Sequence, residues 1–324
     1  MIDRALLTSW LAVARLAPSP HNNQPWLARA TPDGVTLRLD DEQLPLLGPD
    51  RVQFLALGAF IENLGYAAAA DGYRLTVDGL PIVPRRSAEI TIRFHDGPEP
   101  GDDAAAFLDG ARRRRTNRGH YESRLPPDAA ARLRAVRCEP PVTLTLISDS
   151  AARSAAAELA ARAMRVLFSV PELRRDLAPF VFSRADGPRD IGMPIESLNP
   201  AAAASVPGRE WVLELASPDE EAEAARARFE HAPLHFVVSS VTDTLPGWIA
   251  GGRTLQRVLV TATLLGLSHC LAAGPAEIPT LLPALRRLGG SAGRPLILGR
   301  LGIAAVPAQA IASPRRPVAD ILSG

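Results

Sequence analysis

The sequence predicts an α+β fold, and three observations carry that reading. Stretches with apolar residues at helical spacing are interleaved with short apolar runs of strand length. One helix-to-strand unit occurs twice. Ala56-x-Gly58-x-x-Ile61-Glu62 and Ala250-x-Gly252-x-x-Leu255-Gln256 share a spacing, and each runs through an alanine (Ala68, Ala262) to a glycine (Gly72, Gly266) and then a strand. A small residue near the start of each helix and a glycine at its end permit close packing of two similar helices, so the chain reads as a duplication. Finally, 324 residues at 47% hydrophobic and 22% charged suffice for one large or two medium globular domains with an ample core.

The elements follow in order. Leu6, Leu7, Trp10, Leu11 and Val13 give residues 3–16 a helical face, and Val35 to Leu39 alternates as a strand does. Asp50 can cap a long helix that Gly72 stops after Asp71. Tyr73 to Val77 and Glu89 to Phe94 read as strands, and Gly97 to Asp103 as a charged Pro/Gly linker. Asp103 to Arg113 and Pro127 to Val136 read as helices, the second with proline in its first turn. Val142 to Ile147 is a strand, Ala151 to Phe168 a helix, and Phe168 to Leu177 helix and turn. The stretch from about Phe180 to Pro218 breaks this rhythm. It carries Gly187, Gly192, Pro194, Pro200 and the run Ala201 to Ala204, and so long a loop in a compact domain is a lid or a disordered insert. His235 to Val238 is a strand, Trp248 to Leu265 a long helix closed by Gly266, and Pro295 to Ala304 a last strong strand before the tail Ala312 to Gly324.

Composition excludes several classes. The net charge is +1, so no global field draws the chain to nucleic acid or to a membrane. The longest apolar run, Val258 to Leu267, is too short to span a bilayer, and Thr261 and Thr263 interrupt it. The N-terminus carries Asp3 and Arg4 inside an amphipathic pattern and does not read as a signal peptide. Cys138 and Cys270 lie far apart without a CxxC, which argues against a disulfide framework or a cysteine-based zinc site. No metal centre is expected, and a reducing cytoplasm is. There is no lysine, so all 36 basic residues are arginine. Schiff-base, PLP and Walker A chemistry each need a lysine and fall away together.

Four stretches carry chemistry. The first is Ala17-Pro18-Ser19-Pro20-His21-Asn22-Asn23-Gln24-Pro25-Trp26. Its three prolines predict a stiff, extended loop, and its Ser, His, Asn and Gln suit holding a ring-shaped ligand by the edge. A rigid structural turn with Trp26 as a core plug is the other use of such a string. The second is Arg112-Arg113-Arg114-Arg115-Thr116-Asn117-Arg118-Gly119-His120-Tyr121, where a helix ends. A basic run is commonly a solvated face, but adjacent arginines repel and a dianion relieves that repulsion. The third is Ser313-Pro314-Arg315-Arg316-Pro317-Val318, and the fourth Gly266-Leu267-Ser268-His269-Cys270-Leu271-Ala272-Ala273-Gly274, in which His269 and Cys270 read as core packing.

These stretches resemble the FMN-dependent nitroreductase superfamily. The first matches the Pro-Ser-x-x-Asn-x-Gln-Pro-Trp loop that lies against the flavin in that family. The second is similar to its Arg-Arg-Ser-x-Arg phosphate element, with Thr116 for Ser and Tyr121 one place late. The third resembles its basic tail, with Ser313 where lysine is common, and the fourth its Gly-Leu-Gly-x-Cys strand leading to an amide that faces flavin N5. The resemblance implies an α+β nitroreductase-like fold of mostly antiparallel sheets flanked by helices, with FMN as cofactor and NAD(P)H as reductant. Carried over residue by residue, it implies cofactor binding by Pro18, Ser19, Pro20, His21, Asn22, Gln24, Arg114, Arg115, Thr116, Arg118, Ala273, Gly274, Arg315 and Arg316. His21 is the sole side-chain candidate for a proton donor, and a structural hydrogen bond is its plainer role.

The order of the motifs is reversed relative to ordinary nitroreductases, and each occurs once. Residues 1–100 carry the proline loop with no arginine element before it. Residues 101–324 carry the arginine element with no proline loop after it. This pattern resembles the Acg-like branch, in which two degenerate halves in one chain assemble one site. The expected function is an FMN-dependent oxidoreductase passing electrons from NAD(P)H to a nitro- or quinone-type acceptor. The alternative is a flavin-holding protein whose segment 180–218 covers the ring. The expected partner is a small molecule rather than nucleic acid or membrane, and the expected state is a monomer serving as a pseudo-dimer, or a weak homodimer.

Overall fold

A computed structural model describes residues 2–47, 50–81, 85–97, 103–198, 206–306 and 313–323. Helix α1 (Arg4–Ala14) leads into the proline loop. Strands β1 (Trp26–Thr31) and β2 (Gly34–Leu39) form a hairpin, followed by the long helix α2 (Asp50–Ala70) and strands β3 (Tyr73–Asp78) and β4 (Ile90–Asp96). After α3 (Ala104–Arg113) and the short α4 (Ala129–Arg134), β5 (Val142–Ile147) precedes α5 (Ser150–Ser169) and α6 (Pro171–Leu177). Two-residue strands β6 (Val181–Phe182) and β7 (Met193–Pro194) and the single turn α7 (Gly208–Glu210) punctuate the next stretch. Then come α8 (Pro218–Glu230), β8 (Leu234–Ser240), α9 (Leu245–Leu264), β9 (Ser268–Ala272), α10 (Gly274–Glu277), α11 (Leu282–Gly289), β10 (Arg294–Gly302) and β11 (Leu322–Ser323).

Two sheets share one plan. The first is ordered β11-β1-β2-β4-β3 and the second β5-β8-β10-β9. Apart from the parallel β1–β11 pair, every pairing within these two sheets is antiparallel. In chain order the first half runs β1, β2, α2, β3, β4 and the second β5, β8, α9, β9, β10, so equivalent strands hold equivalent places. After each long helix a glycine at positive φ, Gly72 at 85° and Gly266 at 74°, lets the chain reverse into the edge strand. The fold is α+β, with mostly antiparallel sheets flanked by helices and two degenerate halves in one chain. The C-terminal strand β11 crosses over to extend the sheet of the first half.

The halves meet where the repeated motif predicts close packing. A Cβ on Gly58 would lie 2.3 Å from the Ile249 carbonyl oxygen, and one on Gly252 would lie 2.0 Å from the Leu55 carbonyl oxygen. Each glycine thus receives the backbone three residues before the other, which is the reciprocity of a two-fold contact. The next turn repeats it. Glu62 pairs with Arg257, and at their equivalents the Gln256 side-chain amide donates a 2.7 Å hydrogen bond to Asn63 Oδ1. Leu55, Ile61, Leu255 and Val258 add to the core that spans both helices. Helix α2 is long and apolar enough to cross a membrane by composition, but its apolar window is 83% buried inside the protein.

The structure corrects several expectations. Strand β1 and helix α8 are absent from the periodicity reading. β1 alternates only partly, and α8 is mostly charged and alanine-rich, with little apolar stripe to see. Asp50 is the first helical residue of α2 rather than its cap, and it pairs with Arg86. The stretch 180–218 is not structureless, because Phe168, Leu177, Val181, Met193, Ile195, Trp211 and Val212 form a small core of their own. Pro200 and the run Ala201 to Ala204, most of the linker Gly97 to Asp103, and Ala312 lie outside the described residues.

Candidate cofactor site

The proline loop is stiff but not extended. Pro20–Asn22 forms a 3-10 turn, and His21, Asn22 and Gln24 take φ of 50°, 55° and 51°. Proline fixes only its own φ and biases its predecessor; the hydrogen bonds close the loop. The Asn22 N–H donates to the Ser19 carbonyl at 3.1 Å and the Gln24 N–H to the Ser19 hydroxyl at 3.0 Å. Trp26 is buried against Phe60, ring centres 5.0 Å apart, so the core plug and the ligand loop coexist. Asn23 anchors the loop to α2 through the Gln53 side chain at 2.9 Å.

The arginine element begins at the C-terminus of α3, where Arg114 is the C-cap and its N–H still donates to the Gly110 carbonyl. It is laid beside β9 by a parallel bridge from Thr116 to His269 and a 2.9 Å bond from the Asn117 N–H to the His269 carbonyl. Arg300, fully buried on β10, donates to the Gly119 carbonyl at 2.8 Å and stacks over Tyr121 at 4.1 Å, fixing the far side of the loop. Its only sequence signal is a lone arginine inside an apolar strand.

These two loops, far apart in sequence, converge. Arg114 donates to the Leu16 carbonyl at 2.9 Å and Arg315 to the same oxygen at 3.4 Å. Arg315 also donates to Asn22 Oδ1 at 2.7 Å, and Asn22 Nδ2 to the Pro314 carbonyl at 3.0 Å. Arg15, which the sequence reading passed over, donates to the Arg316 carbonyl. Its signal was its place directly before the proline loop. Among the described residues, no ion pair involves Arg15, Arg114, Arg115, Arg118 or Arg315. Burial, then the charges of Arg315 and Arg115, push Arg114 down to about 9. Burial, then Arg115 and Arg15, push Arg315 down to about 10. Nε of Arg15, Arg114 and Arg315 is buried without a partner. A buried cationic cluster short of acceptors and negative charge fits a phosphate dianion.

Other expected residues are placed differently. Arg316 is turned to the first half, pairing with Asp40 at 2.8 Å and bonding Gln24 through its main chain at 2.9 Å. Its charge is already met. Ala273 and Gly274 stand at the far end of β9, roughly 13 Å along the strand from His269. A Cβ on Gly274 would lie 2.8 Å from that of Ala163, so packing on α5 already requires glycine there. His21 is held neutral, its pKa pushed down to about 4 by burial and then by Arg118.

The stretch after Phe180 lies against both loops. Gly192 exchanges bonds with Asn22, accepting from Nδ2 at 2.9 Å and donating its N–H to the Asn22 carbonyl at 3.1 Å. Gln24 Nε2 donates to the Asp190 carbonyl at 2.7 Å, and Phe180 stacks on His21. Arg118 reaches Met193 Sδ at 3.0 Å and Ser197 Oγ at 3.4 Å.

No family model matches the chain. Two curated proteins of Mycobacterium tuberculosis (strain H37Rv) match nearly all of it. One, named "Putative NAD(P)H nitroreductase Rv3131", is 28% identical over 99% of this chain and 92% of its own length. The other, named "Putative NAD(P)H nitroreductase acg", is 27% identical over 99% of this chain and 96% of its own. These full-length likenesses agree with the resemblance of the sequence motifs to the Acg-like branch of the nitroreductase superfamily. Among solved structures, the chain is similar to the FMN-dependent nitroreductase NfnB from Mycobacterium smegmatis. That likeness is 18% identity over 68% of this chain and 97% of NfnB, with a TM-score of 0.45.

Proposed function

We propose that the chain is an FMN-dependent oxidoreductase that takes electrons from NAD(P)H and passes them to a small organic acceptor of nitro or quinone type. The observation that carries this reading is the convergence of the arginine cluster, which lacks counter-charge, with the polar proline loop. The names of the full-length relatives support the reductant. The chemistry FMN supplies when bound is hydride and electron transfer, so the protein's tasks are position and electrostatics. Arg114, Arg115, Arg118 and Arg315 would hold the phosphate, with the Thr116 hydroxyl beside them. Pro18, Ser19, Pro20, His21, Asn22 and Gln24 would line the ring edge. The main chain at Ala273 and Gly274 would offer an N–H to the ring. Arg316 serves indirectly by fixing Gln24 through Asp40. His21, neutral at pH 7, acts as a hydrogen-bonding wall rather than a standing acid.

One chain builds one site from two halves, divided near residue 100, and works as a monomer. Both cysteines are free thiols, which suits the cytoplasm as its location. The test is direct. Purified protein saturated with FMN, then denatured, should release one FMN per chain, and NADPH should bleach the bound flavin until a quinone restores it. A ratio near two, or a chain that cannot be loaded, defeats the single-site reading. Loading without reduction by NADH or NADPH defeats the enzymatic one.

A further inference from the structure

His269 sits on β9 with 1% of its surface exposed, and neither ring nitrogen has a hydrogen-bond partner. Its main chain is engaged with the arginine loop, through the Thr116 bridge and the Asn117 N–H, so the ring is fixed beside the cradle. The charged groups that face it are Arg114 and Arg118, and its register partner on β10 is the uncharged Leu301. Burial first, and then those two guanidinium groups, hold the imidazole neutral. A neutral imidazole presents one N–H donor and one acceptor nitrogen. Its two charged neighbours have donors only, so neither can receive the imidazole N–H. Leaving that donor buried and unpaired costs free energy that an incoming acceptor recovers.

We infer that His269 is an anion-binding residue of the cradle, donating its ring N–H to the phosphate ester of the ligand and taking up one proton from solvent when that dianion binds. The inference rests on the proposed FMN site. A dianion seated among Arg114, Arg118 and Arg315 offsets most of their charge, and its oxygen in direct contact with the ring favours the imidazolium. No covalent bond changes; the proton moves from solvent to the imidazole, which then pairs with a phosphate oxygen. His21 faces the same Arg118 and is the rival proton acceptor.

The experiment is calorimetric titration of flavin-free, full-length protein at pH 7.5 in buffers of different ionisation enthalpy, with FMN and with riboflavin as probes. The expected result is uptake of about one proton per FMN and none per riboflavin. His269→Gln keeps a donor and an acceptor but cannot titrate; it should abolish the uptake and weaken FMN by roughly tenfold while leaving riboflavin unchanged. His21→Asn should retain the uptake. FMN binding by the unmodified chain without proton uptake overturns the inference alone, as does equal uptake in His269→Gln or its loss in His21→Asn. If His269→Gln does not fold, the contrast of FMN with riboflavin on the unmodified chain, together with His21→Asn, still decides. Failure of the unmodified chain to bind FMN overturns the proposed function and this inference with it.

Discussion

Two buried clusters of arginine lie on opposite fates of the same side chain. At the crossing of α2 and α9, Arg253 and Arg257 are shared between Glu62 and Glu139, at 2.7 Å for Arg253–Glu62 and 2.7 Å for Arg257–Glu139. Burial works against the Arg257 charge, but the carboxylates outweigh it and push its pKa up. At the cradle, Arg114 and Arg315 have only carbonyl and amide oxygens as partners, and their pKa values fall. The first cluster is complete and holds the halves together. The second is incomplete without an anion. Counter-charge, more than burial or residue type, separates an arginine that serves the fold from one that waits for a ligand.

The largest effect should come from breaking the complete cluster. Glu62→Ala removes a carboxylate shared by two buried guanidinium groups, and should cost about 3–5 kcal/mol of stability. Urea denaturation measures it, and a loss under 1 kcal/mol would mean that Glu139 suffices.

Acid should come next. His235 is fully buried on β8, with one ring nitrogen on the Phe229 carbonyl at 2.9 Å, and its pKa is pushed down to about 4, mainly by burial. Unfolded, the ring binds a proton below about 6.5; folded, it stays neutral to about 4. Unfolding therefore takes up a proton in that window. Stability is full above 6.5 and falls as pH drops, by about 3 kcal/mol for this residue. His235→Phe should flatten that part of the curve in urea midpoints taken at pH 7 and 4.5.

Breaking the incomplete cluster should separate binding from folding. Arg118→Ala and Arg315→Ala should each weaken FMN by roughly tenfold or more, about 1.5–3 kcal/mol, with little loss of flavin-free stability. Flavin fluorescence on titration reports the first, thermal melting the second. Collapse of the fold in both variants would make this cluster structural like the other. The smallest effect belongs to the two-fold counterpart of the ion pair. Gln256→Leu leaves Asn63 Oδ1 without its donor and should cost about 1 kcal/mol, well below Glu62→Ala. Equal costs would mean that charge adds nothing at that crossing.

The sequence by itself determined the α+β character, the duplicated helices with their glycines, the single copy of each half-motif and the exclusion of lysine chemistry. Those features are local: periodicity, glycine spacing and residue type are readable wherever they fall. Tertiary structure decided which arginine does what. Arg315 and Arg316 are neighbours of the same type, yet one meets Asn22 at the cradle and the other meets Asp40, which lies far from it in sequence. It also decided that His269, read as core packing, has an unpaired ring between two cations, and that Arg300 and Arg15 belong around the site. Such roles depend on partners brought close only by the pairing of strands and the crossing of helices, and the strength of a charge depends on the burial and counter-charge that this closeness creates.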